Sequence, residues 1–247
     1  MRLLVLSLFS ALCSCGDIEV RSTPGTTSVS SALAGEWQGT WSSGRTSTTG
    51  ALTLRLQDFG GEPVVSFEID NPCLAPAEYD LVLQSGLVSL VNDGVPVLVA
   101  SLSAPEELSG SYGCAADDGV WTAQRTGALP ELLDLSGEWV GVLAAPGLAD
   151  EPVEVSLSQR VQAGQLVLDA LVYLPNSLPA PVPMQGIVQF AEDTFEVQLA
   201  SSIGAGPLLA VQGVGLRAPL SIPDATVAVV GPSPLPFTEA TFSLEPR

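Results

Sequence analysis

The chain has no histidine and no lysine, and its eight basic residues, all arginine, stand against twenty-seven acidic ones for a formal charge of −19. Without an imidazole there is no Ser-His-Asp arrangement and no Cys-His pair. Without a lysine there is no Schiff base and no Walker-type phosphate clamp. The shortage of cations also disfavours nucleic acid and anionic lipid headgroups as partners, since basic surfaces bind both. Aromatic residues make up only 6% of the chain, too few for the girdles of a membrane-spanning barrel. Apolar residues nowhere sustain helical spacing. What survives as catalytic material is adjacent carboxylates: Glu106-Glu107, Asp117-Asp118 and Asp150-Glu151. Glycoside hydrolysis uses such residues, but turn-like surroundings suit solvated turn formers better. Asp117-Asp118-Gly119 lacks the spaced ligands of a calcium loop. Gly213-Val214-Gly215-Leu216-Arg217-Ala218 fits a dinucleotide fingerprint on paper, yet Pro219 and Pro223 forbid the helix that must follow. No catalytic residue, metal or cofactor is expected, and the acidity reads as solubility.

Cysteine is sparse, four in all, and two of the four lie in the first fifteen residues. Arg2 precedes an apolar run from Leu3 to Leu12, and small residues follow. A charged start, a short apolar core and a small residue before the cut describe a secretory signal rather than a membrane span. Leu12-Cys13-Ser14-Cys15 resembles the bacterial lipobox, with Cys13 departing from the usual Ala or Ser. The resemblance implies a signal peptide over residues 1–14 and Cys15 as the lipid-bearing N-terminus; plain secretion is the alternative. More than one acyl chain would anchor the protein tightly to a membrane. Gly16 rather than Asp after the lipidated cysteine implies the outer membrane, on its periplasmic or its surface face. Spending Cys15 on lipid leaves Cys73 and Cys114, which in an oxidising compartment most simply form a disulfide. A loop of that length is stabilised by roughly 4 kcal/mol in the chain-entropy model. Residues 15–32, rich in Ser, Thr, Gly and Pro, are expected to be a flexible tether.

An internal repeat organises the rest. Leu33-Ala34-Gly35-Glu36-Trp37-Gln38-Gly39 recurs as Leu135-Ser136-Gly137-Glu138-Trp139-Val140-Gly141, five identities in seven positions. Each unit closes on an aromatic followed shortly by an arginine, Trp121 to Arg125 and Phe242 to Arg247. The expected domains are therefore 33–126 and 135–247, joined by a linker over 127–134. Within each, apolar residues alternate with polar ones at period two, as in Leu52, Leu54, Leu56 and in Val153, Val155, Leu157. About eight half-buried strands per unit follow. In the first unit they fall near 36–43, 51–59, 63–70, 78–85, 87–92, 96–103, 107–114 and 119–126. In the second they fall near 138–144, 152–160, 165–174, 184–191, 194–201, 207–215, 225–230 and 239–245. Short links favour an antiparallel meander, and eight strands with one apolar face can close into a barrel. The fold class is thus all-β, two tandem eight-stranded antiparallel meander barrels, with β-sandwiches as the alternative.

Gly-x-Trp on the first strand, with an Arg on or after the last, resembles the signature of the calycin barrels, which include lipocalins and avidins. The resemblance implies that Trp37 and Trp139 plug one barrel end and that Arg125 and Arg247 lie over them. A guanidinium stacked on an indole, donating to first-strand carbonyls, would lock first and last strands together. The calycin ligand site is the barrel interior. Candidate inward residues Leu52, Leu54, Leu56, Val65, Phe67, Ile69, Tyr79, Leu81 and Leu83 are large and apolar, so a filled core is expected. The Cys73–Cys114 bridge should draw the Asn71-Pro72-Cys73 loop across the mouth of the first barrel. The second, with longer Pro-rich loops and no such bridge, is the better host for an apolar ligand. Trp41, beside Gly39 and a Ser-rich turn, is the candidate surface aromatic for recognising a sugar or peptide; partial burial is the alternative.

Together these readings describe a lipid-anchored envelope lipoprotein, not an enzyme, that recognises an envelope protein or glycan through barrel loops. The alternatives are carriage of a small apolar ligand in the second barrel and, less favoured, carboxylate-based hydrolysis.

Overall fold

A sheet with one apolar face can bury it without a second sheet by curling until its edge strands pair. The computed structural model describes residues 17–22, 29, 31–71, 74, 78–84, 86–201, 207–231 and 235–247, and its strands curl in this way twice. The two compact units divide between Leu129 and Pro130. The first contains β1 (Asp17–Ser22), β2 (Gly35–Ser43), β3 (Thr49–Phe59), β4 (Glu62–Ile69), β5 (Glu78–Gln84), β6 (Leu87–Asn92), β7 (Val95–Ala104), β8 (Glu107–Gly113) and β9 (Asp118–Gly127). The second contains β10 (Gly137–Ala144), β11 (Glu151–Gln162), β12 (Gln165–Tyr173), β13 (Val182–Phe190), β14 (Thr194–Ser201), β15 (Leu208–Arg217), β16 (Leu220–Val230) and β17 (Glu239–Pro246). Every expected strand is present. Both sheets are closed barrels rather than sandwiches, and β10 to β17 form an uninterrupted meander. All nine inward candidates of the first unit are buried.

One segment departs from expectation. The tether expected over residues 15–32 contains β1, which sits between β4 and β5 as a ninth wall strand, antiparallel to the first and parallel to the second. Ile18 and Val20 alternate with Asp17, Glu19 and Arg21, a period-two pattern hidden beside the Ser/Thr/Gly/Pro stretch that follows. Without β1, the facing edges of β4 and β5 would have to pair directly or leave backbone groups open. Residues 1–16, which carry the expected signal peptide and the lipidation site Cys15, lie outside the described residues, as does Cys73.

The repeated heptad lies at the seam where each barrel closes. Leu33 and Leu135 are buried, and each carbonyl accepts the indole N–H of the tryptophan four residues on, Trp37 at 2.9 Å and Trp139 at 3.0 Å. Gly35 and Gly137 hold φ near +137° and +136°, where side-chain-bearing residues are strained. Gly39 in β2 and Gly141 in β10 lie where β9 and β17 leave no room for a side chain. A Cβ at Gly39 would lie 1.9 Å from the Thr122 carbonyl oxygen, and one at Gly141 would lie 1.6 Å from that of Ser243. Four of the five shared residues therefore have one geometric duty each in closure: a buried cap, a strained turn into the strand, a plug and a close approach.

An overlap with backbone cannot be relieved by rotating a side chain. Gly141→Ala is expected to force β10 from β17 and cost about 1–3 kcal/mol or more in urea unfolding followed by tryptophan fluorescence. Gly127→Ala, with nothing within 4 Å of its Cβ position, should stay within about 0.5 kcal/mol of the parent.

Candidate functional site

The barrel interior is the first place to look. The first barrel is filled: Trp37, Trp41, Trp121, Phe67, Tyr79 and a set of leucines are all buried in one cluster. Trp41 is 3% exposed, which corrects its reading as a surface platform. Trp37, Gly39 and Trp41 share one face at period two, so whatever buries the plug buries Trp41 as well. It pairs with Trp121 across the seam and meets Tyr112 edge to face at 5.9 Å.

The second barrel holds a void of about 20 Å³, lined by Val155, Leu157, Val197, Val211, Ile222 and Phe242 among others, all of them apolar. Ligand pockets run to roughly 300–1,000 Å³, so this one has room for about one water and offers that water no polar partner. The described residues beside two of its Pro-rich stretches turn inward. Leu174, Leu178, Leu235 and Phe237 are buried. Glu151, itself buried, accepts the Asn176 N–H at 2.8 Å and the Ser177 hydroxyl at 2.6 Å, pinning the 174–181 connection down.

Closure residues differ between halves. Arg125 stacks its guanidinium 4.7 Å from the Trp37 ring centroid, donates to the Ala32 carbonyl and lies 3.3 Å from the Glu106 carboxylate. Arg247 does not repeat this. Its backbone N–H donates to the Glu138 carbonyl at 2.9 Å while its side chain is exposed, and among the described residues the other cation–π contact joins Arg217 to Phe190. Register explains the asymmetry. Trp37 faces Arg125 across its seam, whereas Trp139 faces Pro246. Arg247 is one residue too late, which sends its side chain off the plug.

The chemistry-bearing residues collect at the rim of the first barrel where β2 ends and β9 begins. Asp117 accepts the Ser43 hydroxyl at 2.7 Å on one oxygen and the Tyr112 hydroxyl at 2.8 Å on the other. The Asn71 side chain lies beside the Tyr112 phenol. Arg45 bridges to Asp118 at 2.6 Å, and the Asp117 N–H approaches Cys114 Sγ at 3.3 Å. The Ser43 hydroxyl, then that of Tyr112 and the charge of Arg45, hold the Asp117 carboxyl below the usual aspartate range. Burial, then Asp117, pushes the Tyr112 phenol up. This knot laces the 44–48 and 114–117 connections together. Its acids are satisfied acceptors, not a spaced acid–base pair. Glu107 likewise accepts from Ser103 at 2.7 Å and Gln124 at 2.9 Å.

The outer walls carry a third feature. Arg55 joins Glu36 at 2.9 Å and Glu68 at 2.8 Å across β2, β3 and β4; Arg160 joins Asp169 at 2.7 Å between β11 and β12. Beside the latter pair an open groove of about 380 Å³ crosses β11, β12 and β13, lined by Ser156, Ser158, Leu171, Pro183 and Gln185 among others. Leu171 is 50% exposed there. The groove was not visible in the sequence because it lies on the polar face, where one exposed leucine among hydroxyls carries no periodic signal. Gly213 and Gly215 lie in β15, and a Cβ at Gly215 would meet the Phe195 ring at 2.0 Å. These glycines make room for core side chains, not a phosphate.

No family model matches the chain, and no curated protein does. Among solved structures it is similar to the crystal structure of a protein with unknown function from the DUF3598 family, from Nostoc punctiforme. The identity is 12%, the match covers 87% of this chain and 96% of that one, and the TM-score is 0.26.

Two measurements test the rim and the closure. A carboxyl whose folded pKa is depressed stabilises above its unfolded value, and that contribution is lost as pH falls through the folded one. Parent stability should therefore drop below about pH 4, and Asp117→Asn should flatten that limb in urea midpoints between about pH 2.5 and 6. Arg125→Ala should cost roughly 1–3 kcal/mol, while Arg247→Ala stays within about 0.5 kcal/mol.

Proposed function

We propose that this chain is a lipid-anchored envelope lipoprotein whose barrels act as a non-catalytic recognition module for an envelope protein or glycan. The observation that carries the reading is the filled interior. A barrel packed with leucine and tryptophan, beside one with room for about one water, offers a partner its outside only. The groove across β11 to β13 suits such a partner, because an exposed leucine and a proline lie among hydroxyl and amide groups. Mixed surfaces of that kind recognise peptides or sugars by shape and hydrogen bonds.

Anchoring follows from the resemblance of Leu12-Cys13-Ser14-Cys15 to the lipobox, with Gly16 favouring the outer membrane. The Cys73–Cys114 bridge belongs to the same reading. Asn71 lies beside Tyr112, and each of these residues precedes one of the cysteines by two positions. The calycin likeness rests on the Trp37–Arg125 closure and on the tryptophan plug that both halves share.

Native mass spectrometry of the protein extracted from its own envelope tests the reading. The expected spectrum carries acyl mass, lost in Cys15→Ser, and a bound envelope protein or glycan. A co-purified apolar ligand without such a partner would favour carriage instead. Leu171→Arg is expected to release the partner while leaving the unfolding midpoint within about 0.5 kcal/mol of the parent.

A further inference from the structure

We infer that the rim of the first barrel formed by the 44–48, 93–94 and 114–117 connections seats directly on the lipid headgroups of a zwitterionic bilayer. The inference rests on the lipid-anchoring reading of Cys15 and adds to it which face of the protein meets the membrane.

The course of β1 supplies the argument. Asp17 pairs with Glu68, one residue before β4 ends at Ile69, and Glu19 pairs with Glu78, the first residue of β5. The chain therefore enters the barrel wall at the rim where β4 ends and β5 begins. That rim also holds the end of β2, the β6–β7 turn and the start of β9. Only Gly16 separates Cys15 from Asp17, two steps of chain that reach at most about 7 Å when fully extended. The headgroup layer is itself roughly 5–8 Å deep. An acylated Cys15 therefore brings this rim to headgroup level and leaves no length for a leash. The opposite rim, with the 60–61 and 105–106 turns, stands about 20 Å further away at ordinary strand rise and tilt.

The surface chemistry of the rim agrees. Val95 and Val120, at 62% and 59% the most exposed large apolar residues among those described, stand at its edge, just after the 93–94 turn and just inside β9. On this rim the carboxylates of Asp70, Asp93, Asp117 and Asp118 outnumber the guanidinium of Arg45. Apolar side chains among acids favour headgroups that carry an ammonium, such as phosphatidylethanolamine, and oppose anionic ones.

The test uses full-length acylated protein reconstituted in phosphatidylethanolamine/phosphatidylcholine vesicles that contain headgroup-nitroxide lipid. Fluorophores are placed through Thr46→Cys or Val95→Cys on this rim, or through Glu62→Cys on the opposite one. The expected result is loss of most fluorescence at positions 46 and 95 and little loss at 62. Replacing part of the lipid with phosphatidylglycerol should weaken the quenching. A ten-residue Gly/Ser insertion between Gly16 and Asp17, a leash of about 17 Å, should bring positions 46 and 95 down to the level of 62 with acyl mass unchanged. Equal quenching of both rims, or stronger quenching at 62, in protein that carries acyl mass and floats with vesicles overturns the inference and leaves anchoring intact. Absence of acyl mass and flotation overturns the anchoring reading itself.

Discussion

A barrel exists only if its sheet closes on itself, and the seams of β2 with β9 and of β10 with β17 rest on the same few atoms in both halves of this chain. The close approach of Gly39 to Thr122, and of Gly141 to Ser243, lets two backbones come nearer than any side chain would permit. The indole N–H of the following plug is satisfied by a carbonyl four residues earlier, so a large polar-tipped side chain is buried without an orphaned donor. With the seam closed, neither barrel presents the open edges that invite aggregation.

The halves then diverge in how their ends are finished. The first adds a guanidinium over its plug, an acid knot at the far rim and a ninth strand from the N-terminal segment. The second draws its loops inward on Leu174, Leu178, Leu235 and Phe237 and ties one of them to a buried carboxylate. Both finishes have the same consequence. The apolar interior is occupied by the protein itself, and what faces solvent is the polar outside, its rims and the groove across β11 to β13.

Much of this was legible residue by residue. The alternation of Leu52, Leu54 and Leu56 and of Val153, Val155 and Leu157 named both the strands and their buried face, because side-chain direction in a strand depends on parity alone. The same parity read from Trp37 places Trp41 inside; its neighbouring serines and glycines suggested a surface that the period did not support. Parity also separates the two terminal arginines. Arg125 pairs with its tryptophan, but a proline occupies the equivalent place in β17 and turns Arg247 outward. Composition misled once more at Asp17–Ser22, where five alternating residues, Asp17 to Arg21, run into a Ser/Thr-rich stretch.

By itself the sequence determined strand identity, the inward face, the repeat and the closing tryptophans, because each depends on neighbours within a few residues. Only the tertiary structure decided where β1 inserts, which arginine stacks, how little space the second barrel keeps and that a groove opens on its wall. Those outcomes depend on register and packing between strands far apart in the chain, and a one-residue difference in register moves a side chain from one face to the other.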